Sequence, residues 1–246
     1  MARARFCAPL LIALAVGGCG QADAGFEKRK PAAPVIRASA EAPVVVEEFQ
    51  SQGCSSCPPA NANLNALAGR PEVLALSYAV TYWDGLGWKD TFASPAFTQR
   101  QWDYAHFAGR TNVATPQVIV NGGPKINGGD RGELDQLVAS EGAPAGGPLV
   151  EAKNGQIAVA AGKAARPTTV WLVRYDPRVR WVAIRAGENE GLKLPHRNVV
   201  RELVALGEWK GDAASFNLPA ATEPGLAAAV LVQAGKGGPI LSARRI

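Results

Sequence analysis

The sequence predicts an α/β protein in which one mixed α/β domain is followed by a smaller all-β, sandwich-like domain. Three observations carry this. A buried-strand signal, Val44-Val45-Val46, is followed within fifteen residues by a proline-opened helix, and strands and helices then alternate as far as about residue 141. Residues 142–148 are rich in Gly, Ala and Pro, which reads as a linker. Beyond residue 149, strand-like runs recur between turn residues with little helical periodicity.

The N-terminus reads as an export signal, residues 1–19. Arg3 and Arg5 form a positive n-region, and residues 6–18 are apolar and uncharged. That run is too short to span a bilayer, which takes about 20 residues. Val16-Gly17-Gly18-Cys19 resembles a bacterial lipobox, in which the cysteine is freed and acylated. Ala22-Asp23-Ala24 is a competing cut site, and the lipobox with lipidation at Cys19 is preferred. The expected location is the periplasm, with membrane attachment only through that anchor. Residues 20–43, rich in Ala, Pro and charge, read as a flexible tether.

The first folded domain is expected over residues 44–141. Its first strand runs to Phe49. A Gln/Ser/Gly turn leads to Cys54, and Pro58 and Pro59 open a helix, since a first-turn N–H has no intrahelical partner to lose. Ala60, Leu64, Leu67 and Ala68 line one face and Gly69 ends it. Residues 73–80 are a second strand. An aromatic insert over 82–109 is helical from about 94 to 107. Thr115-Pro116-Gln117 leads into a third strand at 118–120, Asn121-Gly122-Gly123 turns the chain, and residues 125–127 form a short return strand. Asp130 caps a last helix with Leu134, Leu137 and Val138 at helical spacing. This order of elements is that of a thioredoxin fold.

In the all-β domain, residues 149–246, strands are expected near 157–160, 168–175, 179–186, 199–206, 226–233 and 240–242. Only 199–206 reads equally as helix.

The four cysteines are Cys7, Cys19, Cys54 and Cys57. Removal or acylation at the N-terminus leaves one pair, two residues apart. Closing so short a loop does little for stability, because the entropy removed from the unfolded chain grows with loop length. The pair is better explained by chemistry. At the start of a helix, free N–H groups and the dipole favour a thiolate, so Cys54 is expected as the attacking, more exposed sulfur and Cys57 as the resolving one. Ser55 and Ser56 are hydrogen-bond donors beside it. Thr115 and Pro116 are expected to face the dithiol and dock an extended substrate backbone, as the residue before a cis proline does in thioredoxin-like folds. Trp83 and Asp84 are candidates for the wall of that groove, against the alternative that they pack and cap a long insert.

Other readings of the pair stay open. Two thiolates suit Cu(I), and Cu(I) delivery is the first alternative. Zinc wants four ligands, and nothing in the spacing recruits His106 or His196. A non-catalytic partner-binding module is the second alternative. No cofactor is expected. The partners are protein or small thiols and disulfides, with a redox partner that the sequence does not identify. The formal charge of +5 is scattered rather than blocked, so no nucleic-acid partner is inferred.

Several longer stretches carry a family resemblance: residues 51–60 (SQGCSSCPPA), Tyr82-Trp83-Asp84, Gly87-Trp88-Lys89-Asp90, Phe92-Ala93-Ser94-Pro95, Thr115-Pro116-Gln117, Gly187-Glu188-Asn189 with Gly191, His196, and Asn198-Val199-Val200. Together they resemble a bacterial secreted-protein family known as domain of unknown function 1223. The resemblance implies a thioredoxin-like domain with a β-rich C-terminal part and no settled activity. The sequence departs from that family's pattern at Glu48, where an apolar residue is usual, and at Asn61, where an acid is usual. Buried near a dithiol, Glu48 would relay a proton to the resolving sulfur; the preferred expectation is that it points to solvent at a strand end. His196 is expected to be exposed on a hairpin, with closure over the dithiol site as the alternative.

Overall fold

A central strand that is apolar on both sides needs cover on both sides, and the first strand meets that condition. The computed structural model describes residue 1 and residues 36–246. The expected export signal, Cys7, Cys19 and the tether as far as residue 35 lie outside the described residues. Strand β1 (Val44–Gln50) is buried at every position. It runs parallel to β2 (Val73–Ala79), with Val44 opposite Val73 and Gln50 opposite Ala79. On its other side it runs antiparallel to β3 (Gln117–Val120), which turns into β4 (Lys125–Ile126).

Helices α1 (Pro58–Leu67) and α3 (Arg131–Glu141) cover one face of these strands. Leu64, Leu67, Leu134 and Val138 pack there on Val44, Val46, Ala75 and Val118. Helix α2 (Pro95–Phe107) covers the other, setting Phe97 and Tyr104 against Val45, Phe49, Leu74 and Tyr78. Of the two caps seen, the sequence implies that of Asp130. Ser94 accepts from the Ala96 N–H at the head of α2, and Asp130 from the Glu133 N–H at the head of α3. Within the insert, Asp84–Leu86 forms a single 3₁₀ turn.

The second half holds β5 (Val150–Lys153), β6 (Gln156–Val159), β7 (Thr168–Asp176), β8 (Arg180–Ala183), β9 (Lys193–His196), β10 (Val199–Trp209), β11 (Ala214–Asn217), β12 (Ala227–Ala234) and β13 (Ile240–Arg245). The described strands form one eight-stranded mixed sheet in the order β13-β12-β7-β10-β2-β1-β3-β4, a three-stranded sheet β11-β6-β5, and the β8–β9 hairpin.

This differs from the separate all-β domain that the sequence suggests. Strand β10 lies beside β2, pairing in parallel at Val199 and Ser77, and the Ser77 N–H donates to the Asn198 carbonyl at 3.0 Å. Left at an edge, fully buried β2 would present unpaired backbone groups; β10 continues the sheet instead. Residues 36–246 accordingly belong to one compact unit. The helical alternative for 199–206 fails because β10 pairs with β7 along its length. Its two bulges, between Val200 and Glu202 and between Ala205 and Gly207, break the period-2 signal.

The expected linker is also tied down. The Asn121 side chain donates to the Gly142 carbonyl, the Ala143 N–H donates to the Ile36 carbonyl, and the Ser242 hydroxyl donates to the Pro148 carbonyl. A Cβ on Gly147 would collide with the Leu241 backbone. The end of the expected tether docks as well: Ile36 bridges to Ala143 and Ala38 packs on the α1/α3 face. Among the described residues no helix is long and apolar enough to cross a membrane.

Candidate functional site

Cys54 follows a tight turn in which its N–H donates to the Ser51 carbonyl and the Gly53 N–H to the Ser51 hydroxyl, both at 3.1 Å. Cys57 is the N-cap of α1, and its carbonyl accepts from the Asn61 N–H. The two cysteines form a disulfide with Cα atoms 5.5 Å apart. Both sulfur-bearing residues are buried, Cys54 at 0% exposure and Cys57 at 2%. Cys54 is therefore not the exposed sulfur expected from its place before a helix.

The flanking serines have separate tasks. Ser56 Oγ lies 3.3 Å from Cys54 Sγ and donates to the Thr115 carbonyl at 3.4 Å. Ser55 donates through both its N–H (3.0 Å) and its hydroxyl (2.6 Å) to one carboxylate oxygen of Glu188. These two bonds hold the Glu188 carboxyl below its ordinary pKa. Asn189 is buried, and its side-chain amide donates to the carbonyls of Gln52 (2.9 Å) and Cys54 (2.8 Å).

Thr115 and Pro116 are joined by a cis peptide bond immediately before β3. Trp83 reaches this segment, its indole N–H donating to Thr115 Oγ1 at 2.7 Å. Asp84 does not: its carboxylate accepts from the Asp90 N–H and organises the insert. Of the two residues considered for the wall of the groove, only Trp83 contacts the Thr115 segment.

Asp90 and Gln52 stood in the sequence only as members of the family motifs, with no role assigned to either. Buried Asp90 accepts from the Gln52 N–H (2.7 Å) and the Phe92 N–H (2.8 Å). Burial, only partly offset by these bonds, pushes its carboxyl up to about 6. The Gln52 side chain accepts from the Trp88 indole N–H and donates to Thr91 Oγ1. The insert thus grips the loop that presents Cys54.

Glu48 contradicts the solvent-facing expectation. It is fully buried between its strand neighbours Ser77 and Val118, on the face that α1 and α3 cover. Neither carboxyl oxygen has a hydrogen-bond partner among the described residues, and burial pushes its pKa up to about 8. The Ser77 hydroxyl and Asn61 Oδ1 are likewise buried without partners there. His196 is also buried rather than exposed. Among the described residues neither ring nitrogen has a hydrogen-bond partner, Phe92 meets the ring edge-on at 5.7 Å, and burial lowers its pKa to about 4. It sits beside Pro195, whose carbonyl accepts from Asn61 and Asn65 on α1. Among the described residues no group of three or more His, Cys, Asp or Glu side chains is placed to hold a metal ion.

Residues 45–233 match the family described as "Protein of unknown function (DUF1223)", and the chain belongs to that family. No curated protein matches it. Among solved structures, a protein from Agrobacterium tumefaciens is 30% identical with a TM-score of 0.69, the match covering 86% of this chain and 96% of that one. HBP35 of Porphyromonas gingivalis shares the fold at 13% identity with a TM-score of 0.57, over 85% of this chain and 76% of that one.

Proposed function

We propose that this protein is an exported thiol–disulfide oxidoreductase whose first folded part, residues 44–141, is thioredoxin-like. The observation that carries the reading is the Cys54–Cys57 disulfide at the first turn of α1, linked through Ser56 to the carbonyl of Thr115. The strand order β2-β1-β3-β4, with α1 and α3 on one face and α2 on the other, supports the thioredoxin-like assignment. The signal-like N-terminus and the lipobox at Cys19 support export and a lipid anchor.

In the forward direction a substrate thiolate attacks Cys54 Sγ. The Cys54–Cys57 bond breaks, a mixed disulfide forms, and Cys57 leaves as a thiolate. A second substrate thiolate then displaces Cys54, so the substrate is oxidised by two electrons and the protein keeps a dithiol. The backbone of Thr115 is the edge against which an extended substrate pairs.

The test is turnover and trapping. Cys57→Ser should accumulate mixed disulfides on Cys54, and Cys54→Ser should trap none and lose turnover. Activity that survives Cys54→Ser overturns the proposal. The reduction potential then sets the direction. A value near −120 mV marks a donor of disulfides, and one near about −270 mV marks a reductase that needs an electron supply.

A further inference from the structure

Glu188 and Asn189, which bond the loop carrying Cys54, come from one short segment. The turn between β8 and β9 is closed by its own backbone bonds: Ile184 and Leu192 pair, the Gly191 N–H donates to the Ile184 carbonyl, and the Leu192 N–H donates to the Asn189 carbonyl. It therefore behaves as a preformed unit rather than a loose loop. Its tip rests on the insert at Gly187, whose φ of +80° favours glycine and where a Cβ would press on Trp88 Cβ at 3.3 Å. From that tip Glu188 takes both donors of Ser55, and Asn189 binds the carbonyls of Gln52 and Cys54. Four side-chain hydrogen bonds thus tie one turn to the loop that carries the disulfide.

The pattern resembles the way a bound peptide would engage the same loop, with an acceptor for the Ser55 N–H and a donor for the Cys54 carbonyl. An incoming thiol must approach a Cys54 that is fully buried while these bonds stand.

We propose that Glu188 and Asn189 are specificity-determining residues of the dithiol site, forming a cover that a substrate must displace before its thiolate reaches Cys54. The proposal rests on the reading of Cys54 as the attacked sulfur. Substrates with a backbone carbonyl or carboxylate beside the cysteine can replace Glu188 on Ser55, whereas a bare thiol can only wait for the cover to open.

The test measures the rate at which dithiothreitol reduces the disulfide in the full chain. One dithiothreitol thiolate attacks a disulfide sulfur and releases the other cysteine as a thiolate. The second dithiothreitol thiol then closes a cyclic disulfide, leaving two cysteine thiols. Glu188 is exposed at the surface, so Glu188→Ala should fold normally while freeing the cover at one end. Losing two hydrogen bonds to a charged acceptor should accelerate reduction by about tenfold. Asn189→Ala should accelerate it as well, and Glu188→Gln, which keeps an acceptor without the charge, should fall between. Glu190→Gln, one residue from the latch, controls for net charge and should match the wild type. Equal rates in Glu188→Ala and the wild type, or equal acceleration by Glu190→Gln, would overturn the proposal. Faster reduction of Glu188→Ala supports the cover even if Cys54→Ser leaves turnover on protein thiols intact, a result that would remove only the oxidoreductase reading.

Discussion

The unpartnered carboxyl of Glu48 makes the most direct prediction, because a single group then dominates a pH window. Its pKa is about 8 in the folded protein and about 4.3 in an unfolded chain. Between those values the folded state binds a proton that the unfolded state does not. The contribution is fully present below the unfolded pKa and is lost as pH rises through the folded one. At 1.36 kcal/mol per unit, and allowing for partial ionisation at each end, this one group should cost about 2.5–3 kcal/mol of stability between pH 5 and pH 7. Glu48→Gln keeps the shape and removes the titration. Urea unfolding of oxidised wild type and variant at pH 5, 6 and 7 gives the difference directly. Asp90 and His196 also titrate near this window, with opposite signs, but both proteins share them and they cancel. The variant should gain on the wild type steadily as pH rises. Parallel stability profiles would mean that Glu48 is solvated or paired, and the buried-acid argument would fail.

Two further predictions concern groups that hold the site in place. On the opposite face of β1, Arg100 binds the Glu47 carboxylate with Nε at 2.7 Å and Nη2 at 3.1 Å, both residues being buried. Arg100→Met should destabilise the fold by about 3–5 kcal/mol, since it strands a buried charge. Glu47→Leu combined with Arg100→Met should recover most of the loss by urea unfolding, and a double variant as weak as the single one would contradict this. Asp90→Ala leaves the Gln52 and Phe92 N–H groups without their acceptor, and a loss of about 2–4 kcal/mol is expected. An unchanged melting temperature would show that the insert does not depend on Asp90 to hold the Cys54 loop.

What the sequence made legible was local. The helices announced themselves through Pro58-Pro59, Ser94-Pro95 and Asp130, residues whose capping chemistry acts within one turn. Strands β1, β2 and β3 were apolar runs between turn signals. The Cys54–Cys57 pair and Thr115-Pro116 stood out because few other roles suit them. What was not legible depended on distant partners. Glu48 reads as the end of a strand until Ser77 and Val118 are known to flank it. The exposure expected of Cys54 followed from its own neighbours, whereas the residue is buried and its loop is bonded by residues 133 and 135 positions away in sequence. Only the family resemblance of Gly187-Glu188-Asn189 pointed to that segment, without saying what it touches.

The pairing of β10 with β2 bears on why the two halves are joined at all. If the C-terminal strands served only to cap an edge, β10 alone would suffice, and the β8–β9 hairpin would be free to vary. Instead the hairpin leads straight into β10: Pro195 binds α1 through Asn61 and Asn65, and Asn198 binds the β2 backbone at Ala75. The same run of chain therefore registers the second half against both the dithiol helix and the central sheet. That double registration brings the tip at Glu188 and Asn189 to the loop that carries Cys54. Through Glu188 and Asn189 the β-rich half is hydrogen-bonded to the loop that carries the disulfide.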